Sequence, residues 1–334
     1  MLGAPHIVRP AARDAAAALR AAVAQARAVL LTGPIAPDGD SIGACLALAA
    51  GLRALGPARI DVAGSVSYRY AWMPGAQGML PDDQIAADYD LVVVLDGDAR
   101  RLEPPIAAAF QAAPKRAIVD HHRSTQVQGY DIALVDASAS STCDLVYELL
   151  LAWGHPLDRA TAQLIYAGIV FDTGGFRHSN TTPQTHLLAA RLVAQGIDHA
   201  AISTRILFDR SQAGVRLLAA VLAGAEYRVD GRLAIGQASF ELGSSLGAGP
   251  GDIEGIVDHL VYTSGVELAC LLIEQQPGSV KLSLRSRSVV DVAALARSLS
   301  PGGGGHARAA GATIEGTVPQ VLAQVLPALE LAVR

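Results

Sequence analysis

The sequence predicts an α/β protein with two domains: a first domain on a mostly parallel sheet and a smaller α/β C-terminal domain, with a cleft between them. The chain has 334 residues, more than a single hydrophobic core usually supports. Up to Gly196, short apolar runs alternate with amphipathic stretches, which is typical of βα units. After Gly196 this alternation weakens. We therefore predict a first domain over 1–196, a helical connector over 197–225 and a second domain over 226–334.

Apolar runs predict the strands of the first domain, and amphipathic periodicity predicts its helices. The strands are expected at Ala28–Thr32, Arg59–Ala63, Leu91–Leu95, Ala117–Val119 and Ile132–Val135. The helices are expected at 10–27, 41–55, 141–153, 159–171 and 183–195. The second helix opens at Asp40–Ser41 and the third at Ser140–Thr142, and both segments carry good N-cap residues.

Turn signals organise the second domain. Tyr227–Ser239 carries Asp230–Gly231 at its middle and predicts a hairpin. Val266–Ile273 and Val280–Ser286, joined around Gln276–Gly278, predict another. Helices are expected near 250–262, 291–298 and 318–332.

Composition excludes several classes of protein. The net charge of −5 argues against a protein that holds long nucleic acid, because such binding needs a concentrated basic surface. No apolar stretch approaches the length of a membrane span, so we expect no membrane partner and a cytoplasmic location. The three cysteines, Cys45, Cys143 and Cys270, match no metal-binding spacing and fit a reducing compartment.

Acidic residues and histidines follow three of the predicted strands, and one further carboxylate ends a helix. Because open α/β sheets place their sites at the carboxyl ends of strands, these side chains are expected to converge. Carboxylates with imidazole favour Mn²⁺, Co²⁺ or Zn²⁺ over Ca²⁺ or Mg²⁺ alone. Two such ions activate water and clamp a phosphoryl group. The four motifs are Asp38-Gly39-Asp40, Asp96-Gly97-Asp98, Asp120-His121-His122 and Asp172-Thr173-Gly174.

Each motif also has a purely structural interpretation. An Asp–Gly pair at a strand end is common turn chemistry, and Asp172 alone could cap a helix. Asp120-His121-His122 is harder to explain in this way, because an aspartate and two histidines directly after a buried strand are awkward to satisfy. The four motifs together favour a metal site.

In this order the motifs resemble those of the DHH phosphoesterase superfamily. The second half is similar to the C-terminal domain of one branch, through Ser283–Arg287, the segment Gly302–His306 and Ala309–Gly311. That branch contains the nanoRNases that also act as pAp phosphatases, and stand-alone phosphodiesterases of cyclic di-AMP or its linear product pApA. The resemblance implies two Mn²⁺ ions, a short oligonucleotide or dinucleotide substrate, and a homodimer.

The resemblance also implies residue roles. Asp38 would bind one metal, Asp40 the other, and Asp96 would bridge both, with His121 and Asp172 completing the second site. His122, facing the substrate phosphate, and Asp98 would be catalytic. The residues implied to bind the substrate are Arg285, Ser286, Gly303, Gly304, Gly305 and His306. Glycine permits close backbone approach to phosphate, and arginine offers a bidentate fork.

One position departs from the family pattern. The family has a metal-binding histidine four residues before the first aspartate, and this chain has Pro34 there. Proline cannot coordinate a metal, so the first site is expected to be weaker, or completed by water or by another side chain such as His178. Loss of a ligand lowers metal affinity and could reduce activity strongly.

Three functions follow as hypotheses. The first is hydrolysis of short oligonucleotides, pAp, pApA or cyclic di-AMP to mononucleotides. The second is a manganese-dependent pyrophosphatase, against which the segment Gly302–His306 argues. The third is a nucleotide sensor of little or no activity, suggested by Pro34.

Overall fold

The computed structural model describes residues 6–56, 59–287 and 289–334. The chain divides into two units, Met1–Asp209 and Arg210–Arg334. Each unit is built around its own sheet. No helix in the described part of the chain is both long enough and apolar enough to cross a membrane.

The sheet of the first unit has five parallel strands in the order β2-β1-β3-β4-β5. The predicted parallel sheet is confirmed, and β4 is longer than predicted because its pairing with β5 extends to Asp120. β1 and β3 are buried along their whole length, as expected of strands covered on both faces. The strands are β1 Ala28–Thr32, β2 Arg59–Ala63, β3 Leu91–Leu95, β4 Lys115–Asp120 and β5 Ile132–Val135.

Helices connect these strands and extend beyond them. The five predicted helices are present, and the short helix after β3 was not predicted. The helices are α1 Pro10–Gln25, α2 Gly39–Arg53, α3 Pro104–Ala112, α4 Thr142–Ala152, α5 Arg159–Asp172, α6 Pro183–Val193 and α7 His199–Leu207.

Two helix starts fix the site geometry. α2 begins two residues earlier than predicted, because Asp38 is its N-cap and accepts hydrogen bonds from the backbone N–H groups of Asp40 and Ser41. Ser141 caps α4 in the predicted segment. Nearly all of α2 is buried, as expected of a helix that is apolar around its whole circumference. The core therefore holds the acidic turn before α2 in place.

The second unit contains a six-stranded mixed sheet in the order β10-β11-β9-β8-β7-β6. Both predicted hairpins are confirmed as the antiparallel pairs β6–β7 and β8–β9, whereas β7 and β8 run parallel. The strands are β6 Glu226–Arg228, β7 Leu233–Ala238, β8 Leu268–Gln276, β9 Ser279–Ser286, β10 Gly304–His306 and β11 Ala309–Glu315.

Helices of the second unit pack against this sheet. The prediction of a single helix over 250–262 is wrong. Gly255, at φ +75°, is the N-cap of a helix that begins at Ile256, and the preceding helix ends at Ile253. The helices are α8 Gln212–Ala223, α9 Phe240–Leu246, α10 Pro250–Ile253, α11 Ile256–Val261, α12 Val292–Leu299 and α13 Val318–Ala332.

The predicted connector consists of two helices that belong to different units. α7 buries Ile202 and Ile206 in the core of the first unit. α8 buries Leu217 and Val221 against the sheet of the second unit. The division at Asp209–Arg210 therefore falls inside the segment predicted as the connector.

Candidate metal centre

Four predicted metal ligands lie together at the carboxyl ends of β1, β3 and β4. The ligand atoms of Asp40, Asp96, His121 and Asp172 all lie within 4.8 Å of one another. Asp40 opens α2 after β1, Asp96 and His121 directly follow β3 and β4, and Asp172 is the last residue of α5. We call these four residues the carboxylate–histidine cluster. The parallel sheet places Asp40, Asp96 and His121 at one edge, and the end of α5 adds Asp172.

The cluster concentrates negative charge in a buried place. Asp40 is fully buried and Asp96 is 3% exposed. Burial and the charge of Asp172 raise the pKa of Asp40 to about 6. Burial, then the charges of Asp38 and Asp40, raise the pKa of Asp96 well above its usual value. Carboxylates so placed favour a bound cation, because a positive ion removes the repulsion that raises their pKa values.

His121 brings a nitrogen donor into this acidic cluster. Its Nε2 lies 2.7 Å from Oδ2 of Asp172 and 3.8 Å from Oδ1 of Asp96, and its Nδ1 lies 3.4 Å from the carbonyl oxygen of Ala139. Burial acts to lower the pKa of His121, but the charge and hydrogen bond of Asp172 outweigh it and raise the pKa to about 10. Three carboxylates and one imidazole with an oriented Nε2 fit a divalent transition metal.

The N-terminus of α4 holds two of the carboxylates. Thr142 donates its backbone N–H to Oδ2 of Asp40 at 2.6 Å, and Cys143 donates its N–H to Oδ1 at 2.9 Å. The hydroxyl of Thr142 donates to Oδ1 of Asp96 at 3.0 Å. The sequence pattern here predicted only a helix start, and the contact of Thr142 with both acids was not predicted. A helix N-terminus suits carboxylates, because its N–H groups are unsatisfied within the helix.

A glycine in α5 makes room for Asp40. A Cβ added to Gly168 would collide with Oδ1 of Asp40 and with Sγ of Cys143. Likewise, a Cβ on Gly43 in α2 would lie 2.7 Å from the carbonyl oxygen of Leu164. These two glycines allow α2 and α5 to approach closely around the cluster. Sequence reasoning did not single them out.

Asp96 occupies an unusual backbone conformation. Its φ is +63°, which costs energy for a residue with a side chain and is commonly retained at functional sites. The next residue, Gly97, has φ +153°, and an added Cβ there would lie 3.4 Å from Cβ of Pro34. The ring of Pro34 therefore packs beside the backbone that carries Asp96.

Asp38 lies beside the cluster without being one of its four members. Its Oδ1 accepts hydrogen bonds from the N–H groups of Asp40 at 3.0 Å and Ser41 at 3.1 Å. Its negative charge contributes to the raised pKa of Asp96. Within residues 6–56, 59–287 and 289–334, Asp38 belongs to no group of three closely spaced metal-ligating atoms.

Asp120 orients His122. The Nδ1 of His122 lies 2.7 Å from Oδ1 of Asp120, and the carboxylate also accepts the backbone N–H groups of His121 and His122 and the hydroxyl of Thr125. Burial acts to raise the pKa of Asp120, but the hydrogen bond to His122 outweighs it and the pKa is lowered. This contact favours the neutral tautomer of His122 that carries its proton on Nδ1.

Asp98 is held by neighbouring donors on two loops. Its carboxylate accepts Nε and Nη2 of Arg100, the latter at 2.6 Å, and the backbone N–H groups of Arg100 and Gln126. Burial acts to raise its pKa, but these bonds outweigh it and the pKa is lowered. These contacts hold the loops after β3 and β4 together, and the catalytic role of Asp98 stays a prediction.

His178 lies beside the backbone at the end of α5. Its Nδ1 lies 3.1 Å from the carbonyl oxygen of Asp172, and it belongs to no group of three ligating atoms in that part of the chain. Asn180 donates to the same carbonyl at 3.2 Å and to the carbonyl of Ser140 at 2.8 Å. These side chains support the backbone at the end of α5.

The predicted substrate-binding residues lie in the second unit. Nε of Arg285 donates to Oδ1 of Asp258 at 3.0 Å, and the Arg285 side chain is 31% exposed. The hydroxyl of Ser286 accepts from Nη1 of Arg308 at 3.3 Å. Arg285 therefore has an acidic partner, with which an anionic ligand would compete.

The last three residues of the segment Gly302–His306 form the edge strand β10. Gly304 and His306 pair with Gly311 and Ala309 of β11. A Cβ on Gly303 would collide with the carbonyl of Ala296, and one on Gly305 would lie 2.5 Å from the carbonyl of Ala309. Backbone atoms of the second unit therefore leave no room for a side chain at positions 303 and 305. A Cβ on Gly304 would meet nothing within 4 Å.

Two family models match the chain. Residues 28–169 match the DHH family, N-terminal domain, and residues 232–334 match the DHHA1 domain. The chain belongs to the DHH family. The first match begins at β1 and ends within α5, so it includes Asp40, Asp96 and His121 and stops three residues before Asp172. The second match covers β7 to α13.

Curated relatives in the DHH family extend over most of the chain. A bifunctional oligoribonuclease and PAP phosphatase NrnA of Thermus thermophilus is 30% identical over 306 residues, covering 88% of this chain and 86% of the relative. The NrnA of Bacillus subtilis is 27% identical over 294 residues, covering 86% and 89%.

Solved structures share the DHH fold. An exopolyphosphatase-related protein from Bacteroides fragilis superposes with a TM-score of 0.86 at 24% identity, over 98% of both chains. RecJ from Thermus thermophilus, solved with Mn²⁺, gives a TM-score of 0.58 at 16% identity over 98% of this chain and 56% of RecJ. These likenesses confirm the predicted α/β architecture.

Proposed function

We propose that the protein is a Mn²⁺-dependent phosphoesterase that hydrolyses short oligonucleotides and pAp to mononucleotides, with pApA and cyclic di-AMP as further candidate substrates. The carboxylate–histidine cluster carries this proposal. A cytoplasmic location and a homodimeric state belong to the same proposal.

The donor set supports a catalytic metal. Asp40, Asp96 and Asp172 supply oxygen, and His121 supplies nitrogen. This combination favours a transition metal such as Mn²⁺ over Ca²⁺ or Mg²⁺. Bound metal ions would supply Lewis acidity and an activated water. Thr142 and Cys143 hold Asp40, and the Thr142 hydroxyl holds Asp96. Such supporting contacts commonly change metal affinity or activity by about 10–100-fold.

His122 is the proposed proton-transferring residue. Asp120 keeps the proton of the neutral ring on Nδ1, so Nε2 can receive or donate a proton at the reacting phosphoester. This arrangement needs Asp120 ionised, and its lowered pKa keeps it so near neutral pH.

The substrate class rests on the relatives and on charge. The relatives in Thermus thermophilus and Bacillus subtilis are named for action on oligoribonucleotides and PAP. A net charge of −5 disfavours long nucleic acid but permits a small substrate held by local positive charge. The candidates for substrate binding by the second unit are Arg285, Ser286, Gly303, Gly304, Gly305 and His306.

A substrate panel tests the proposal. Purified protein would be incubated with pAp, pApA, cyclic di-AMP, a five-nucleotide RNA and pyrophosphate across a Mn²⁺ titration, with Asp96→Asn as the matched control. We expect AMP from pAp and pApA, and no product with the variant. Pyrophosphate hydrolysis alone would favour a pyrophosphatase. No hydrolysis of any substrate at millimolar Mn²⁺ would favour a nucleotide sensor.

A further inference from the structure

We infer that the carboxylate–histidine cluster holds one metal ion in the resting protein, and that a second ion binds at Asp38 and Asp96 only together with a substrate phosphate. The inference rests on the proposed function and adds an order of binding to it.

The four-ligand cluster has the features of a resident site. Asp40, Asp96, His121 and Asp172 bring ligand atoms within 4.8 Å of one another, and the N-terminus of α4 holds Asp40 and Asp96 through hydrogen bonds. Such pre-organisation lowers the entropic cost of binding. One ion is therefore expected to bind tightly.

The region of Asp38 offers fewer ligands. Oδ1 of Asp38 is shared with two backbone N–H groups at the start of α2, and the Asp38 charge acts on Asp96. Next to them the ring of Pro34 packs against Gly97, so the neighbouring side chain is a hydrocarbon. Two carboxylates alone commonly hold a hard cation only when substrate phosphate and water complete its coordination.

Asp120 is unsuited to replace the histidine ligand that Pro34 lacks. Asp96, Asp120 and His122 also bring ligand atoms within 4.8 Å of one another. However, Oδ1 of Asp120 accepts from two backbone N–H groups and from Nδ1 of His122, and Oδ2 accepts from Thr125. Asp120 is thereby committed to orienting His122.

Counting bound Mn²⁺ tests this inference without turnover. The free ion would be measured by its electron paramagnetic resonance signal during titration of the full chain, with and without millimolar AMP as the phosphate probe. A protein-free titration corrects for Mn²⁺ bound to AMP. We expect one ion per chain without AMP and two with it.

Three variants separate the two positions. Asp38→Asn keeps an N-cap residue but removes the charge, so it should retain the first ion and fail to gain the second. Asp172→Ala should lose the first ion. Pro34→His should bind two ions without AMP, and circular dichroism checks that each variant is folded.

Two results would overturn the inference: two ions bound in the same Mn²⁺ range without AMP, or two ions bound to Asp38→Asn with AMP. Binding of no Mn²⁺ would overturn it together with the metal-dependent function. The expected ion counts without AMP release from any nucleotide would leave the inference standing and contradict the proposed function.

Discussion

Thr142 donates its hydroxyl to Oδ1 of Asp96 at 3.0 Å, and its backbone N–H binds Asp40. One residue therefore orients two carboxylates of the cluster. Thr142→Val preserves the shape and the N–H but removes the hydroxyl donor. We expect it to weaken Mn²⁺ binding by about 10-fold or more, measured as the midpoint of a Mn²⁺ titration.

Thr142→Ser is the matched control, because it restores the hydroxyl. Its Mn²⁺ midpoint should lie near that of the wild type. Equal midpoints for the valine and wild-type proteins would show that the hydroxyl does not position Asp96.

The Asp120–His122 pair predicts a defect in turnover without a defect in metal binding. Asp120→Asn removes the carboxylate that holds the proton of His122 on Nδ1. The neutral ring can then carry its proton on Nε2, where it cannot accept a proton from the substrate. We expect kcat for AMP release to fall by at least about tenfold, with an unchanged Mn²⁺ midpoint. Thr125→Val, which removes a bond to the other oxygen of Asp120, should have a smaller effect. A normal kcat in Asp120→Asn would contradict the role given to His122.

Gly168 predicts a steric effect on Asp40. Gly168→Ala places a methyl group against Oδ1 of Asp40 and Sγ of Cys143. Overpacking of this kind costs about 1–3 kcal/mol of unfolding free energy, and the displaced carboxylate should also weaken Mn²⁺ binding. Denaturant unfolding and Mn²⁺ titration measure the two effects.

Gly243→Ala is the control for this prediction. Gly243 lies in α9, and an added Cβ would meet nothing within 4 Å. The change should stabilise the protein by about 0.4–1 kcal/mol and leave Mn²⁺ binding unchanged. A Gly168→Ala protein that behaves in the same way would refute the close packing around Asp40.

Asp98 and Asp96 lie on the same turn but should respond differently. Asp98 pairs with Arg100 and the N–H of Gln126, so Asp98→Asn should lower thermal stability and keep kcat within about tenfold of the wild type, as expected for a loop contact outside the reacting groups. Asp96→Asn should abolish turnover. Loss of turnover in both variants would restore the catalytic role that the sequence suggested for Asp98.

Local sequence patterns predicted the strands of the first unit and the position of the candidate metal centre. Buried apolar runs predicted the strands, and the acids directly after them predicted a site at one edge of a parallel sheet. Asp40, Asp96 and His121 follow three different strands, and their proximity follows from sheet topology alone. Asp172 lies at the end of a helix, so its place near His121 came from the family resemblance.

Contacts between distant segments were beyond the sequence patterns. The bonds from Thr142 to Asp40 and Asp96, and the space that Gly168 leaves, depend on how α4 and α5 pack. Nothing in the local sequence distinguishes Thr142 from an ordinary helix-start residue. The contact of Asp98 with Gln126 was missed for the same reason, since Gln126 follows a different strand.

The most direct test of the account is anomalous diffraction at the manganese absorption edge from crystals of the full chain soaked in Mn²⁺. We expect one strong peak coordinated by Asp40, Asp96, His121 and Asp172, and loss of this peak in Asp172→Ala. A peak bound by other residues, or no peak at these four, would contradict it.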